Sequence, residues 1–139
     1  MLERYLFRGK RLDNSKWVQG CLRMFPNYNN GGALEQAIQV MPDAGDYENF
    51  FVKPDTIGQC TGLHDKNGTL LFEGDVLSCE DWDGVWVVSW REDWGGYACE
   101  PFTGQNIGTL SLQDIVECEY EIVGNIHDNP EFLQEAEHE

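Results

Sequence analysis

Two histidine–aspartate pairs are the residues of this chain whose types and spacing could support acid–base chemistry. His64 precedes Asp65, and His127 precedes Asp128. A histidine oriented by a carboxylate can act as general base for a serine or cysteine nucleophile, and the two pairs could approach each other in space. Both pairs fall among turn-forming residues, which favours surface turn histidines. We therefore expect His64 and His127 to form at most a weak polar site, and we predict no catalytic residue.

An acidic stretch is the second place where chemistry is conceivable. Residues 80–84 read EDWDG and carry three carboxylates within four residues, a density suited to calcium. A loop of the EF-hand type needs alternating oxygen ligands and a bidentate glutamate at its twelfth position. Counted from Asp81 the twelfth residue is Glu92, but residues 86–90 between them are too apolar for such a loop. The sequence favours a solvated turn, and it predicts neither a metal nor a cofactor.

The cysteines show no pattern of a redox or zinc site. There are five, an odd number, and none forms a C-x-x-C pair. Small buried thiols on strands are the favoured interpretation, and a disulfide or a metal role is the alternative. These residues are Cys21, Cys60, Cys79, Cys99 and Cys118.

Four tryptophans recur every four residues, which on a helix would form one stripe. Gly84 and the surrounding valines argue against a helix. On a strand, Trp86 and Trp90 share a face with Val88, and we predict that this face is core. The flanking turns hold the residues predicted to form an exposed partner surface: Trp82, Trp94, Asp81 and Asp83.

The charge of the chain is strongly divided along its length. Residues 1–58 hold seven basic and seven acidic residues, whereas residues 59–139 hold two basic and eighteen acidic ones and so carry the whole net charge of −16. Such an acidic surface repels nucleic acid, so direct nucleic-acid binding is not expected unless the basic N-terminal hairpin is presented separately. The opposite-sign regions could attract each other, within one chain or between the copies of a homo-oligomer.

Turn signals and apolar runs predict a mainly β chain, α+β at most, in a single domain over residues 1–139. Its central stretch is residues 59–76, where the turns DKNG and EGD bracket an apolar run, as expected for a hairpin followed by a sharp change of direction. Before it we predict an N-terminal hairpin over residues 4–24 and a loop over 26–32. Residues 34–41 fit a helix or a strand, and the strand is favoured.

After the central stretch we predict three consecutive antiparallel strands, over residues 76–79, 85–90 and 97–102. Their short glycine-containing turns are typical of a small curled sheet or an SH3-like barrel. A last strand follows over residues 118–126, and a short C-terminal helix over 130–136 begins at a proline. No apolar run approaches the ~18 residues of a membrane span, and the start lacks the core of a signal peptide, so we expect a cytoplasmic protein.

The order of several motifs resembles the YopX family, which consists of phage- and prophage-encoded proteins of unknown function. The motifs are FRGK at 7–10 with WV at 17–18, TGLHDKNG at 61–68, FEGDV at 72–76, VSW at 88–90 and EIVGNIHDNPEFL at 121–133. The resemblance implies a β-rich domain and a bacterial host cell, and it brings no catalytic residues.

Three hypotheses for function follow. The first is a non-enzymatic phage accessory protein, a binding module that self-associates. The second is an acidic decoy that mimics nucleic-acid charge and binds a basic host protein, and it is based on the eighteen acids after residue 58. The third and least favoured is a hydrolase, which would need a pocket near the two histidines.

Overall fold

The computed structural model describes residues 2–40, 46–80, 82–101 and 108–131, which fall into two compact units. The first unit is Met1–Cys60 and the second is Thr61–Glu139. The boundary lies two residues after the charge division, so the second unit contains all eighteen acids of the acidic part. The expectation of one domain over the whole chain stays a prediction.

The first unit is an antiparallel sheet whose strand order is β4-β3-β2-β1-β5. Short 3-10 turns at Leu2–Tyr5, Tyr28–Asn30 and Pro54–Thr56 connect or precede its strands. The strands are β1 (Phe7–Lys10), β2 (Trp17–Asn27), β3 (Ala33–Val40), β4 (Glu48–Phe51) and β5 (Gly58–His64), the last of which continues into the second unit.

The predicted N-terminal hairpin and the strand at 34–41 are confirmed, with different ends. The first strand begins at Phe7 because Leu2–Tyr5 is a 3-10 turn, and Met41 lies outside the described residues. The loop predicted over 26–32 is confirmed for residues 28–32, but its start was wrong, since Pro26 lies in β2 opposite Leu34. β1 pairs with β2 only as far as Gly20, so β2 has a single neighbour at Pro26 and the missing N–H is tolerated on the open side.

The second unit combines a hairpin with a five-stranded antiparallel sheet. The end of β5 and β6 (Leu70–Phe72) form the predicted hairpin of the central stretch. The sheet has the order β10-β9-β8-β7-β11. Its elements are β7 (Asp75–Cys79), β8 (Trp82–Arg91), β9 (Gly96–Pro101), β10 (Leu110–Ser111), helix α1 (Leu112–Val116) and β11 (Tyr120–Asn125).

The mainly β prediction is confirmed, and so is the meander of β7, β8 and β9. The turn predicted at 80–84 is shorter than expected, because β8 already begins at Trp82. Within the described residues neither sheet closes into a barrel, so an SH3-like barrel is not confirmed. α1 begins with a capping box, in which the Ser111 and Asp114 side chains each accept a hydrogen bond from the other's backbone N–H. The predicted helix at 130–136 lies almost wholly outside the described residues.

The core of the second unit lies between its sheet and α1. A buried cluster fills it, and burying each large apolar side chain contributes roughly 1.5–3 kcal/mol. Its members are Leu71, Leu77, Trp86, Val88, Cys99, Ile115 and Tyr120.

The prediction that Trp90 belongs to this core was wrong. Trp86 and Val88 are buried as predicted, but the Trp90 side chain is 49% exposed. The pairing of β7 with β8 ends at Val87, and one further hydrogen bond joins the Gly74 N–H to the Val88 carbonyl. Trp90 therefore lies beyond the end of β7, the strand that pairs with the part of β8 that holds Trp86. Within the described residues, no helix has the length and apolar character that crossing a membrane requires.

Candidate functional site

The DKNG turn between β5 and β6 is organised by the Asp65 side chain, which is buried. Its Oδ1 accepts hydrogen bonds from the backbone N–H groups of Asn67 and Thr69, each at 2.9 Å. Its Oδ2 accepts from the Ile122 N–H at 3.0 Å. Burial alone would raise the pKa of Asp65, but these three donors, together with the Lys66 charge, hold the pKa below its ordinary value. Asp65 is therefore an ionised structural group.

An open cleft with a volume of about 300 Å³ lies beside this turn. The hydroxyl of Tyr120, one of its lining residues, donates a 2.6 Å hydrogen bond to the His64 backbone carbonyl. Burial, followed by the nearby charge of Asp65, raises the pKa of Tyr120 to about 12, so the phenol stays protonated at neutral pH. The cleft is lined by Leu63, His64, Asp65, Lys66, Cys118, Glu119 and Tyr120.

The two predicted histidine–aspartate pairs lie along the same strand. His64 lies beside Tyr120 and Asp65 beside Ile122, in the first half of β11, whereas His127 follows Asn125, at the end of the strand. The expectation that the two pairs approach each other stays a prediction.

Two charged groups of the cleft, Asp65 and Lys66, are already used in contacts within the fold. Lys66 Nζ lies 3.6 Å from a Glu80 carboxylate oxygen and 3.8 Å from one of Glu121. Asp65 is occupied by backbone donors, and Tyr120 by a carbonyl. Within the residues that the structure describes, no three His, Cys, Asp or Glu side chains are grouped as a metal would require. The cleft offers the exposed side chains of His64 and Glu119 as its conventional acid–base groups.

The cysteines only partly match the prediction of buried thiols. Cys60 and Cys99 are buried and lie outside any disulfide, and burial raises the pKa of the Cys99 thiol to about 12, which keeps it unreactive. Cys21 is exposed. Cys79 and Cys118 are joined as a disulfide, which links the end of β7 to the segment after α1. The prediction of free thiols was wrong for this pair. Cys118 comes two residues before β11, and the pairing of Tyr120 with Cys79 brings it close to Cys79 although 39 residues of sequence separate the two cysteines.

The predicted partner surface is not a single patch. Asp81 lies outside the described residues, and Trp82 and Asp83 are the first two residues of β8 rather than part of a turn. Trp94 follows the other end of β8 and is 47% exposed. Because a strand rises about 3.3 Å per residue, the ends of β8 lie about 30 Å apart. Of the four predicted residues, Trp94 is the one whose side chain the structure describes.

A different aromatic surface surrounds Trp94, at the end of the β8–β9 hairpin. Trp90 packs edge-on against the Tyr97 ring, with 5.1 Å between ring centroids. The Arg91 guanidinium stacks 4.8 Å above the Trp94 ring and binds both carboxylate oxygens of Asp93, at 3.0 and 2.8 Å. We call residues 90–97 the tryptophan end. Sequence reasoning missed Trp90 because its alternation with Trp86 is that of a core residue.

The first unit exposes apolar side chains at the end of its β2–β3 hairpin. Tyr28, in the turn, is 84% exposed, Leu34 is 60% exposed and Met24 is 50% exposed. On the adjacent face the Arg23 guanidinium lies 5.5 Å from the Phe25 ring. Interfaces are enriched in aromatic, Met and Arg side chains, so this hairpin end and the tryptophan end are the two candidate partner surfaces.

Three comparisons place these features among known proteins. The family model described as YopX protein matches residues 6–134. Among solved structures, the chain is similar to the crystal structure of protein EF1440 from Enterococcus faecalis, with 21% identity, 91% of this chain and 96% of that chain covered, and a TM-score of 0.48. No curated protein matches the sequence. The family match spans nearly the whole chain and includes the two longest motif regions, at residues 61–76 and 121–133.

Proposed function

The chain belongs to the YopX family, and from this premise we propose that it is a non-enzymatic phage or prophage accessory protein, a binding module that self-associates. The observation that carries the proposal is the charge of the second unit. Its two basic residues are both held in ion pairs, Lys66 with Glu80 and Glu121, and Arg91 with Asp93 and Glu100. By sequence the unit holds eighteen acidic and two basic residues, so its net charge of −16 attracts a cationic partner.

The first unit of a second copy has no net charge, with seven basic and seven acidic residues, but it presents cations next to exposed apolar groups. Seven of the ten large apolar side chains that are exposed in the described residues belong to this unit. Several of its cations lie over aromatic rings, such as Arg4 over Tyr5 and Arg23 over Phe25. A surface that combines apolar groups with stacked cations binds an acidic, aromatic surface better than it binds water. A second copy supplies that surface.

A hydrolase is less well supported, since Asp65, Lys66 and Tyr120 of the cleft are held by structural hydrogen bonds and ion pairs. A general base needs a free lone pair directed at substrate. Asp65 uses both of its carboxylate oxygens on backbone N–H groups. Turnover of a generic ester or phosphoester that is lost on His64→Ala would overturn the non-enzymatic part of the proposal.

Light scattering after size-exclusion chromatography tests self-association. The mass should rise with protein concentration in the micromolar range at low salt, and it should fall towards the monomer at ~0.5 M salt, where the screening length is only about 4 Å. A mass equal to the monomer at every concentration and low salt would refute self-association.

A second candidate function is that of an acidic decoy for a basic host protein. The ion pairs of Lys66 and Arg91 favour it, because both basic residues of the second unit are already held by acids of that unit. Exposed acids lie at both ends of β8, with Glu92 and Asp93 at one end and Glu80 and Glu119 at the other. A decoy should displace DNA from a purified basic nucleoid protein of the host in a gel-shift competition. Failure to displace DNA at a large excess would exclude this function and leave self-association standing.

A further inference from the structure

We propose that copies of this chain associate head to tail, the end of the β2–β3 hairpin of one copy docking on the tryptophan end of the next. This inference rests on the proposed self-association and assigns its two surfaces. One surface belongs to the first unit and the other to the second, so each copy carries both halves of the contact.

The end of the β2–β3 hairpin has no other strand beside it among the described strand pairs. β1 pairs with β2 only as far as Gly20, and β4 pairs with β3 only from Ala37 onward. β2 and β3 nevertheless stay paired with each other out to Asn27 and Ala33. We call residues 23–35 the arm. It is a two-stranded extension whose sides are open to a partner.

The arm carries interface chemistry on both of its faces. Residues directly opposite in an antiparallel pair share a face, and neighbours along a strand alternate. Pro26 is opposite Leu34, so Met24, Pro26 and Leu34 lie on one face. Arg23 and Phe25 lie on the other face, where the Phe25 ring meets Phe51 edge-on at 6.0 Å.

Arg23 is held in position to meet an anion. Its guanidinium lies over the Phe25 ring and donates a 3.2 Å hydrogen bond to the Gln39 Oε1. The side chain is exposed. No carboxylate binds it within the described residues, so it brings an exposed positive charge next to apolar surface.

The tryptophan end is the matching surface of the second unit. Trp90 and Trp94 are two of the three large apolar side chains that this unit exposes within the described residues, and the third is Val123. Glu92 and Asp93 lie between them in the turn, and Glu92 is exposed. The aromatic rings complement Met24 and Leu34 in polarity, and the acids complement the charge of Arg23. The arm's own acid, Glu35, accepts a hydrogen bond from the Asn27 side chain. The occupant of the arm is therefore a second copy.

A contact between two different surfaces has a consequence for assembly. An isologous interface is satisfied in a dimer, whereas a heterologous one leaves an unused arm and an unused tryptophan end on every open assembly. Such assemblies grow into rings or open chains. We therefore expect the wild-type mass to pass beyond that of a dimer as the concentration rises.

Complementation between two disabled variants tests the assignment. The arm variant is Met24→Glu with Leu34→Glu, and the acceptor variant is Trp90→Thr with Trp94→Ser. Each should be monomeric by light scattering at concentrations where the wild type associates. An equimolar mixture should form a dimer and nothing larger, because the arm variant keeps its tryptophan end and the acceptor variant keeps its arm.

The matched control places the same added charge at exposed apolar positions outside both surfaces. Leu12 and Val123 are 58% and 41% exposed, so Leu12→Glu with Val123→Glu should associate like the wild type. If the wild type associates but either disabled variant does so equally well, or if the mixture stays monomeric, the head-to-tail assignment is wrong and self-association stands. If the wild type is always a monomer, the proposed function fails as well.

A charge swap supplies a measurement that does not depend on the large substitutions. Arg23 and Glu92 are both exposed, so reversing either charge does not disturb a core. Arg23→Glu alone should weaken association about five-fold at low salt. Arg23→Glu combined with Glu92→Arg should recover most of the loss. Equal association of all three proteins would overturn the pairing of these two ends.

Discussion

The Asp65 carboxylate accepts a hydrogen bond at 3.0 Å from the backbone N–H of Ile122, a residue 57 positions later in the chain. The neighbouring Lys66 N–H donates to the Tyr120 carbonyl at 3.0 Å. β11 is an edge strand of its sheet, so these two bonds occupy backbone groups that would otherwise be open for another strand. The DKNG turn at residues 65–68 thereby holds β11 in place and covers part of its edge.

Replacing Asp65 by asparagine should destabilise the fold. The retained carbonyl oxygen can still accept from Asn67 and Thr69, but the new amide nitrogen is then directed at the Ile122 N–H, and two donors face each other. Leaving a buried donor unsatisfied costs about 1–3 kcal/mol. Urea denaturation at neutral pH should show this loss. The exposed Asp55→Asn is the control, and an unchanged midpoint for Asp65→Asn would contradict the structural role.

The contribution of Asp65 should depend on pH with a defined sign. Because its folded-state pKa lies below the ordinary value of 3.8, the stabilisation is complete above the unfolded-state pKa and is lost as the pH falls through the folded-state pKa. The difference in unfolding free energy between wild type and Asp65→Asn should therefore be constant near neutral pH and shrink as the solution is acidified below about pH 4. A difference that grows on acidification would show that the carboxylate is not preferentially ionised in the fold.

Local sequence signals predicted the hairpin of β5 and β6 and the meander well, because turn residues such as Gly68 and Gly74 report the backbone conformation directly. Both have φ near +90°, at 83° and 93°, which favours glycine. The length of β2 was missed because proline was read as a loop signal, although an open strand side tolerates it. Such a tolerance depends on which strands are neighbours, and that is a property of the tertiary structure.

The candidate site was harder to predict, for a similar reason. Alternation placed Trp90 in the core with Trp86, but exposure depends on where β7 stops covering β8. The disulfide between Cys79 and Cys118 depends on the pairing of β7 with β11, which no local pattern in the sequence specifies. The division of charge, by contrast, is counted along the sequence and does not depend on the fold. The second unit carries the whole net charge of −16.

Gly20 should be intolerant of any side chain, since a Cβ there would lie 2.2 Å from the Gln39 carbonyl oxygen of β3. Relief of that overlap requires the backbones of β2 and β3 to separate, and Gly20→Ala should cost about 3 kcal/mol. Gly96 is also a strand residue, but a Cβ there meets nothing within 4 Å, so Gly96→Ala is the matched control. Thermal unfolding of the two variants should separate them clearly, and equal melting temperatures would refute the close approach of the two strands.

The bond between Cys79 and Cys118 should stabilise the fold by restricting the unfolded chain. For a sequence separation of 39, the loop-entropy relation gives about 4 kcal/mol at 25 °C. Cys118→Ser should therefore lower the unfolding free energy in urea by an amount near this value, and a reducing agent should lower that of the wild type but not that of the variant. Cys21→Ser removes an exposed free thiol and is the control. Mass spectrometry of the non-reduced protein should find a peptide cross-linked through Cys79 and Cys118, and equal stability of wild type and Cys118→Ser under oxidising conditions would contradict the bond's role.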